Sequence, residues 1–113
     1  MDNSILTSTK IQLSIMPEDD SFDDELVLHI NAAFSVLTQL GVGPEQGFAI
    51  TGQNETWDDY VVDIVQASMA KQYVFLKVKM LFDPPTNSTV FNKMNEQAEQ
   101  YEWRLRLQAE VKK

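Results

Sequence analysis

Few residues in this chain are of a type that does chemistry. There is a single histidine, His29, and no cysteine. A catalytic imidazole needs a nucleophile or an acid held against it. Helical spacing puts Glu25 one turn before His29 and Ala33 one turn after it, so no nucleophile is in register. A set of Ser21, His29 and an aspartate can be written down, but no motif supports it. His29 therefore reads as a partly exposed helix residue. The second candidate set is the acidic run Glu18, Asp19, Asp20, Asp23, Asp24 and Glu25. A calcium loop needs oxygen ligands at alternating positions, a glycine at the sixth and a bidentate acid at the twelfth. This run does not fit that frame. The four glycines, Gly41, Gly43, Gly47 and Gly52, form no phosphate loop, because Gly-Lys-Ser/Thr and Gly-x-Gly-x-x-Gly are both missing. Asn54-Glu55-Thr56 and Asn87-Ser88-Thr89 match the glycosylation pattern. Without a secretion signal both read as accidental. No catalytic residue, metal or cofactor is expected.

The elements that would position any site are helices. The chain is organised around Lys71–Pro85, where Val74, Val78 and Leu81 follow helical spacing and Phe75 and Phe82 lie beside them. Tyr73, Leu76 and Met80 make most of the circumference apolar, as in a core helix. Asp83-Pro84-Pro85 ends it, since proline lacks the N–H and disfavours helix in the residue before it. Upstream, Asn3 or Ser4 caps a short helix carrying Ile5, Leu6, Thr9 and Leu13. Pro17 and the acids after it break that helix, leaving a loop at 15–20. Ser21 is the expected cap of a second helix, with Asp23, Asp24 and Glu25 in its first turn, where the helix dipole favours negative charge. Leu26, Ile30, Ala33, Phe34, Leu37 and Leu40 mark its core face, and Gly41 its C-terminal stop.

Residues 41–56 form a long glycine-rich loop. Phe48-Ala49-Ile50 is expected to make a short extended strand in it. The Thr56-Trp57-Asp58-Asp59 pattern predicts a short helix near 57–62 leading into the central one at 64–82. Asn87-Ser88 caps a last helix near 89–108, with Val90 or Phe91, Met94, Ala98, Tyr101 and Leu105 as its stripe and Trp103 and Leu107 beside it. The predicted fold is all-α. Four to five helices surround the central one in a single domain of residues 1–108, followed by a flexible tail at 109–113. The expected core joins Val74, Val78, Leu81 and Phe82 to Ile30, Phe34 and Leu37.

A chain of 113 residues most simply makes one domain. It buries about 65% of its unfolded surface, enough for a thin core. No apolar run reaches the ~18 residues of a membrane span. Met1-Asp2-Asn3-Ser4 is unlike a signal peptide, so assembly inside a cell is expected. The formal net charge of −8 argues against binding DNA through its phosphates. The distribution is more informative. Residues 1–66 carry twelve acids and one base, whereas residues 67–113 carry five acids and eight bases. Such a polar molecule suits contacts in which the acidic side of one copy meets the basic side of another, a heterologous arrangement that closes into rings or extends as filaments. Lys71, Lys77, Lys79, Arg104 and Arg106 are the candidate donors. Phe48 and Ile50 are candidate apolar anchors in a loop free to rearrange. A solvated acidic surface that only confers solubility is the plainer reading of the same charges. An acidic DNA mimic, using Asp19, Asp20, Asp23 and Asp24 to occupy the DNA site of a partner, is the alternative function. A small enzyme is the third reading, and it would need a pocket with convergent polar groups.

The residues also carry a family likeness. Leu76-Lys77-Val78-Lys79-Met80-Leu81-Phe82-Asp83-Pro84-Pro85 resembles small phage head–tail connector proteins, also called head-completion or adaptor proteins. Phe22-Asp23-Asp24-Glu25 with Asn31, Leu40-Gly41-Val42-Gly43-Pro44, Thr56-Trp57-Asp58-Asp59 and Glu102-Trp103-Arg104-Leu105 agree in order and spacing, so the likeness spans about 3–107. The resemblance implies a structural virion protein at the head–tail junction, assembled in the host cytoplasm. It implies a homo-oligomeric ring below the portal protein that extends the DNA channel and receives a downstream connector or tail-completion protein. DNA would pass without specific binding. In proteins of this kind the C-terminal tail docks on the portal, which points to Lys112 and Lys113, and the loop region faces a neighbour or the next component.

Overall fold

A computed structural model describes residues 4–60 and 64–111, the side chains of residues 64 and 65 apart. Four helices follow in order: α1 (Ile5–Gln12), α2 (Asp23–Gln39), α3 (Ile64–Phe82) and α4 (Ser88–Val111). The described residues contain no strand, only an isolated antiparallel bridge between Ser4 and Thr56. α3 packs extensively on both α2 and α4, and α1 lies against α2. Phe22, at the start of α2, meets Phe82, at the end of α3, with ring centroids 5.2 Å apart. α2 and α3 are therefore antiparallel. The short 83–87 connection makes α3 and α4 antiparallel too, so α2 and α4 run the same way on the two flanks of α3.

Local chemistry explains the ends. Ser4 caps α1, its hydroxyl accepting from the Thr7 N–H at 3.2 Å. Asn87 caps α4 by accepting from the Val90 N–H at 3.1 Å. α2 ends in a Schellman motif: Gly41 stands at φ +87°, Val42 N–H donates to the Leu37 carbonyl and Gly41 N–H to that of Thr38. α1 ends the same way with Ser14 in the left-handed position, at φ +63°. Ser21, expected to cap α2, does not. Phe22 occupies the cap without a side-chain hydrogen bond, while the Ser21 N–H donates to Asp19 Oδ1 at 3.0 Å. That hydrogen bonding of Ser21 to Asp19 also holds the Asp19 carboxyl below its ordinary range.

The core contains Ile30, Phe34 and Leu37 of α2, Ala70, Tyr73, Val74 and Val78 of α3, and Ala98 and Leu105 of α4. Leu81 is a correction: it is 52% exposed. At 100° per residue Leu81 falls within the arc of the buried Ala70, Tyr73, Val74 and Val78, so its exposure comes from its place in the last turn of α3, one residue before the helix ends at Phe82, and not from its phase. Phe82 is half-buried, its ring edge-on to Phe22.

Three further expectations change. Residues 48–50 pair with no strand. Instead the Asn31 carboxamide accepts from the Ile50 N–H at 2.8 Å and donates to its carbonyl at 3.0 Å, as a strand neighbour would. Residues 57–60 form turns rather than helix, and the remainder of the expected 57–62 helix lies outside the described residues. The tail expected to begin at 109 does not begin there. α4 runs to Val111, and Ala109 is buried where a Cβ on Gly41 would lie 3.4 Å from it. Ala109 completes the Ala98–Leu105 line, four residues on, which is why the helix continues.

Candidate assembly surfaces

The residues singled out as candidate contacts do not form one site. Ile50 is 2% exposed and is fixed from behind by Asn31, so it is part of the core rather than an anchor for a partner. Phe48 is half-buried, with its ring 5.0 Å from that of Phe34 and 5.2 Å from that of Tyr60. The loop they occupy is pinned at several further points. Trp57 Nε1 donates to Ser8 Oγ at 2.8 Å, and the Ile5 N–H donates to the Glu55 carbonyl at 3.0 Å. The Glu55 carboxylate accepts from the Thr51 hydroxyl at 2.8 Å and from the Thr51 and Gly52 N–H groups. The Thr51 hydroxyl bond, the largest cause, holds the Glu55 carboxyl below its ordinary range. Gly43 has φ +85°, and a Cβ there would lie 2.7 Å from the Tyr60 ring. The loop's exposed side chains are mostly polar, Glu45, Gln46, Thr51, Gln53 and Asn54, with Ala49 exposed among them.

The basic candidates divide into two groups. Those on α3 are largely used within the chain. Lys79 pairs with Asp83 at 2.8 Å, and the Lys71 ammonium lies 5.5 Å from the Trp57 ring centroid. Lys77 is half-buried with no ion pair among the described residues. On α4, Arg104 and Arg106 are exposed and unpaired within the described residues, as is Lys93. Lys112 and Lys113 lie outside the described residues.

The lone base of the acidic half has a role that its sequence context hides. Lys10 is 3% exposed, and its ammonium meets Asp23 Oδ1 at 2.8 Å and the Pro17 carbonyl at 2.9 Å. Asp23 is thereby satisfied internally and withdrawn from any acidic surface. Asp20, Asp24 and Glu25 remain exposed, and His29 Nε2 lies 3.4 Å from Glu25. Among the described residues no group of acids and histidines is arranged to hold a metal ion.

On α4, Tyr73 of α3 donates to Glu102 Oε2 at 2.6 Å. Burial, reinforced by that carboxylate, pushes the Tyr73 phenol well above its ordinary range and keeps it a neutral donor. The opposite side of α4 was missed in the sequence. Trp103, Leu107 and Val111 stand four apart, and Trp103 and Val111 are 57% and 85% exposed. At 100° per residue they lie about half a turn from the buried line Ala98–Leu105–Ala109. That phase difference is legible in the sequence, where Trp103 and Leu107 instead read as adjuncts of the core stripe.

Two depressions lie on the described surface. One, of about 270 Å³, lies between α1, α3 and α4 and is lined by Leu13, Phe75, Leu76, Met94 and Tyr101 with Gln12, Gln72, Gln97 and Lys79. The other, of about 500 Å³, lies beside the outer face of α2, between Ser35, Thr38 and Gln39 and the loop residues Gln46–Ala49. Neither gathers an acid, a base and a nucleophile. No helix among the described residues is long and apolar enough to cross a membrane.

A family model described as phage connector protein matches residues 5–112, which takes in all four helices. No curated protein and no solved structure matches the chain.

Proposed function

The chain belongs to the phage connector protein family, and on that premise we propose that its copies form a ring below the portal of the filled head. The ring extends the DNA channel and receives the next connector or tail component. The observation that carries this reading is the extent of the family match, from the first helix to the last. The structure supports it in two ways. The helical block leaves cations on α4 and acids on α2 without partners, as contacts between copies require. The exposed acids Glu18 and Asp20, before α2, suit a channel lining, because like charge keeps DNA phosphates from adhering. Portal docking falls to the residues that follow α4, Lys112 and Lys113, while loop 41–56 serves contacts within the ring and, through exposed Gln53 and Asn54, with the downstream component. Each docking segment binds weakly, and a ring that engages several portal subunits at once recovers affinity through multivalency, by ~10²–10⁴ without new contacts.

The test is negative-stain imaging of the purified chain, alone and mixed with its portal protein. Rings, or added density below the portal, are the expected result. A chain that stays monomeric and never joins the portal would refute the reading. Lys112→Glu with Lys113→Glu should leave the fold unchanged in circular dichroism but lower portal co-sedimentation. Unaltered co-sedimentation would move the docking site elsewhere.

A further inference from the structure

We propose that Trp103 on α4 of one copy seats in the hollow beside α2 of the next copy, and that this is the repeating contact of the ring. The inference rests on the ring reading above and specifies its interface. It starts from two exposed faces. α4 carries Trp103, Leu107 and Val111 on the side away from its own core. α2 carries Leu28, 71% exposed, and exposed Ala32, Ser35 and Gln39 on its own outward side. Each set lies about half a turn from the buried line of its helix. Since α2 and α4 each pack on α3, the two faces are different surfaces of the molecule. A surface on one flank that fits a different surface on the other makes a heterologous contact, the kind that closes a ring.

Register follows from the fold. α2 and α4 run the same way, and their C-terminal ends are level where Gly41 meets Ala109. With a rise of ~1.5 Å per residue, Ser35 and Trp103 each lie ~9 Å before that level. Rotation about an axis along the helices keeps heights, so Trp103 of one copy faces Ser35 and Gln39 of the next. There the 500 Å³ hollow opens, floored by Gly47 and Phe48, with room for an indole. Opposite charges lie near the hollow and near the other end, among the exposed Glu96, Glu99 and Glu110 of α4. Glu45 precedes Gln46 of the hollow's lining, and Arg104 and Arg106 follow Trp103. Near the other end, Asp24 lies 17 residues before Gly41, and Lys93 lies 16 before Ala109. Glu45, Arg104, Arg106, Asp24 and Lys93 are all exposed and lack an ion pair among the described residues. An apolar anchor in a pocket with charges at its rim is the usual anatomy of a specific contact.

Sedimentation velocity over a concentration series, with and without portal protein, tests this on the full chain. Trp103→Ala, and separately Ser35→Trp to fill the hollow, should each weaken self-association at least tenfold. Both positions are exposed, so melting temperatures should stay near that of the unaltered chain. Trp103 emission should shift to shorter wavelength on assembly, and Trp103→Phe should abolish the shift while Trp57 remains. Lys93→Asp and Asp24→Lys should each impair assembly, whereas both in one chain should restore it among identical copies. If the unaltered chain assembles and these variants assemble equally well, the contact is wrong and the ring reading stands. If the Trp103 variant still forms rings but loses the portal, the stripe is a portal face and the proposal fails. If the unaltered chain assembles under no condition, the ring reading falls and this contact with it.

Discussion

Replacing Lys10 with methionine tests the least expected feature of the fold. The substitution keeps the apolar stem that fills the site and removes the charge. Asp23 Oδ1 then loses its ammonium partner at 2.8 Å, and no other hydrogen-bond partner is present at that buried oxygen. Breaking a fully buried pair costs about 3–5 kcal/mol. Here the Asp23 side chain retains 29% exposure, so water can recover part of the loss. The Pro17 carbonyl sits in an exposed loop and finds water readily. The expected cost is therefore about 2–4 kcal/mol. For a domain near this size each kcal/mol moves the melting temperature by about 4 °C, which gives a drop of about 8–16 °C. Thermal unfolding followed by circular dichroism measures it. Adding Asp23→Asn removes the orphaned charge, so the double variant should be no less stable than Lys10→Met alone. A Lys10→Met melting temperature within about 2 °C of the unaltered chain would show that the pair contributes nothing and that α1 is held by its apolar residues only.

Other expectations concern the core, the loop and the helix ends. Phe34→Ala should cost about 3–5 kcal/mol, since Phe34 is fully buried against Phe48, Trp57 and Tyr60; Leu81→Ala should stay within about 0.5 kcal/mol, and equal effects at the two sites by chemical denaturation would misplace α3. Asn31→Ala should cost about 1–3 kcal/mol and speed amide exchange at Ile50, because one side chain satisfies both of its backbone groups. Ser14→Gly should stabilise by about 0.5–1 kcal/mol, as serine pays for a left-handed φ that glycine adopts freely. Glu55 has a folded-state pKa below its ordinary 4.5, so its contribution is present above that value and is lost as the pH falls through the lower folded value. Amide exchange or limited proteolysis at 51–55 should rise in that acidic window before global unfolding, and a loop unaffected there would discount the Glu55 bonds.

Much of the helical layout was legible because it rests on local signals. The span of α3 follows from its apolar run and the Pro84-Pro85 stop, and Gly41 announces the end of α2 because glycine is cheapest at a left-handed φ. Ser14 makes the same motif without the same residue, so α1 closes at a point its composition does not mark. The errors share a different cause, which is competition for partners across the chain. Ser21 is a good cap by type, but α2 starts one residue later, with Phe22 at the cap and its ring packed on Phe82. Leu81 shares a helical period with Val74 and Val78, yet phase alone does not reveal where along α3 the packing on that side stops. Ile50 looks like an anchor in a glycine-rich loop until Asn31, 19 residues earlier, is seen to hold its backbone. Lys10 pairs with an acid 13 positions away, a separation that no periodicity reports.

The placement of the cations changes what polarity means in this molecule. By sequence the chain divides into an acidic half and a basic half, which suggests that whole halves attract. In the fold, Lys79 is spent on Asp83, Lys71 lies over Trp57, and Lys10 neutralises Asp23. The cations left without partners among the described residues are concentrated on α4, interleaved there with exposed Glu96, Glu99 and Glu110, whereas α2 and its flanking loops carry free acids and no unpaired lysine or arginine. These two helices pack on different sides of α3, so the free cations lie mainly on one flank while free acids lie on both. Exposed ion pairs contribute only about 0–1 kcal/mol each, so sorting alone cannot hold a ring together. It can select which flanks meet and in what register, while the apolar residues of α4 provide the adhesion. A contact built this way should weaken with salt yet survive it, whereas one held by charge alone would dissolve.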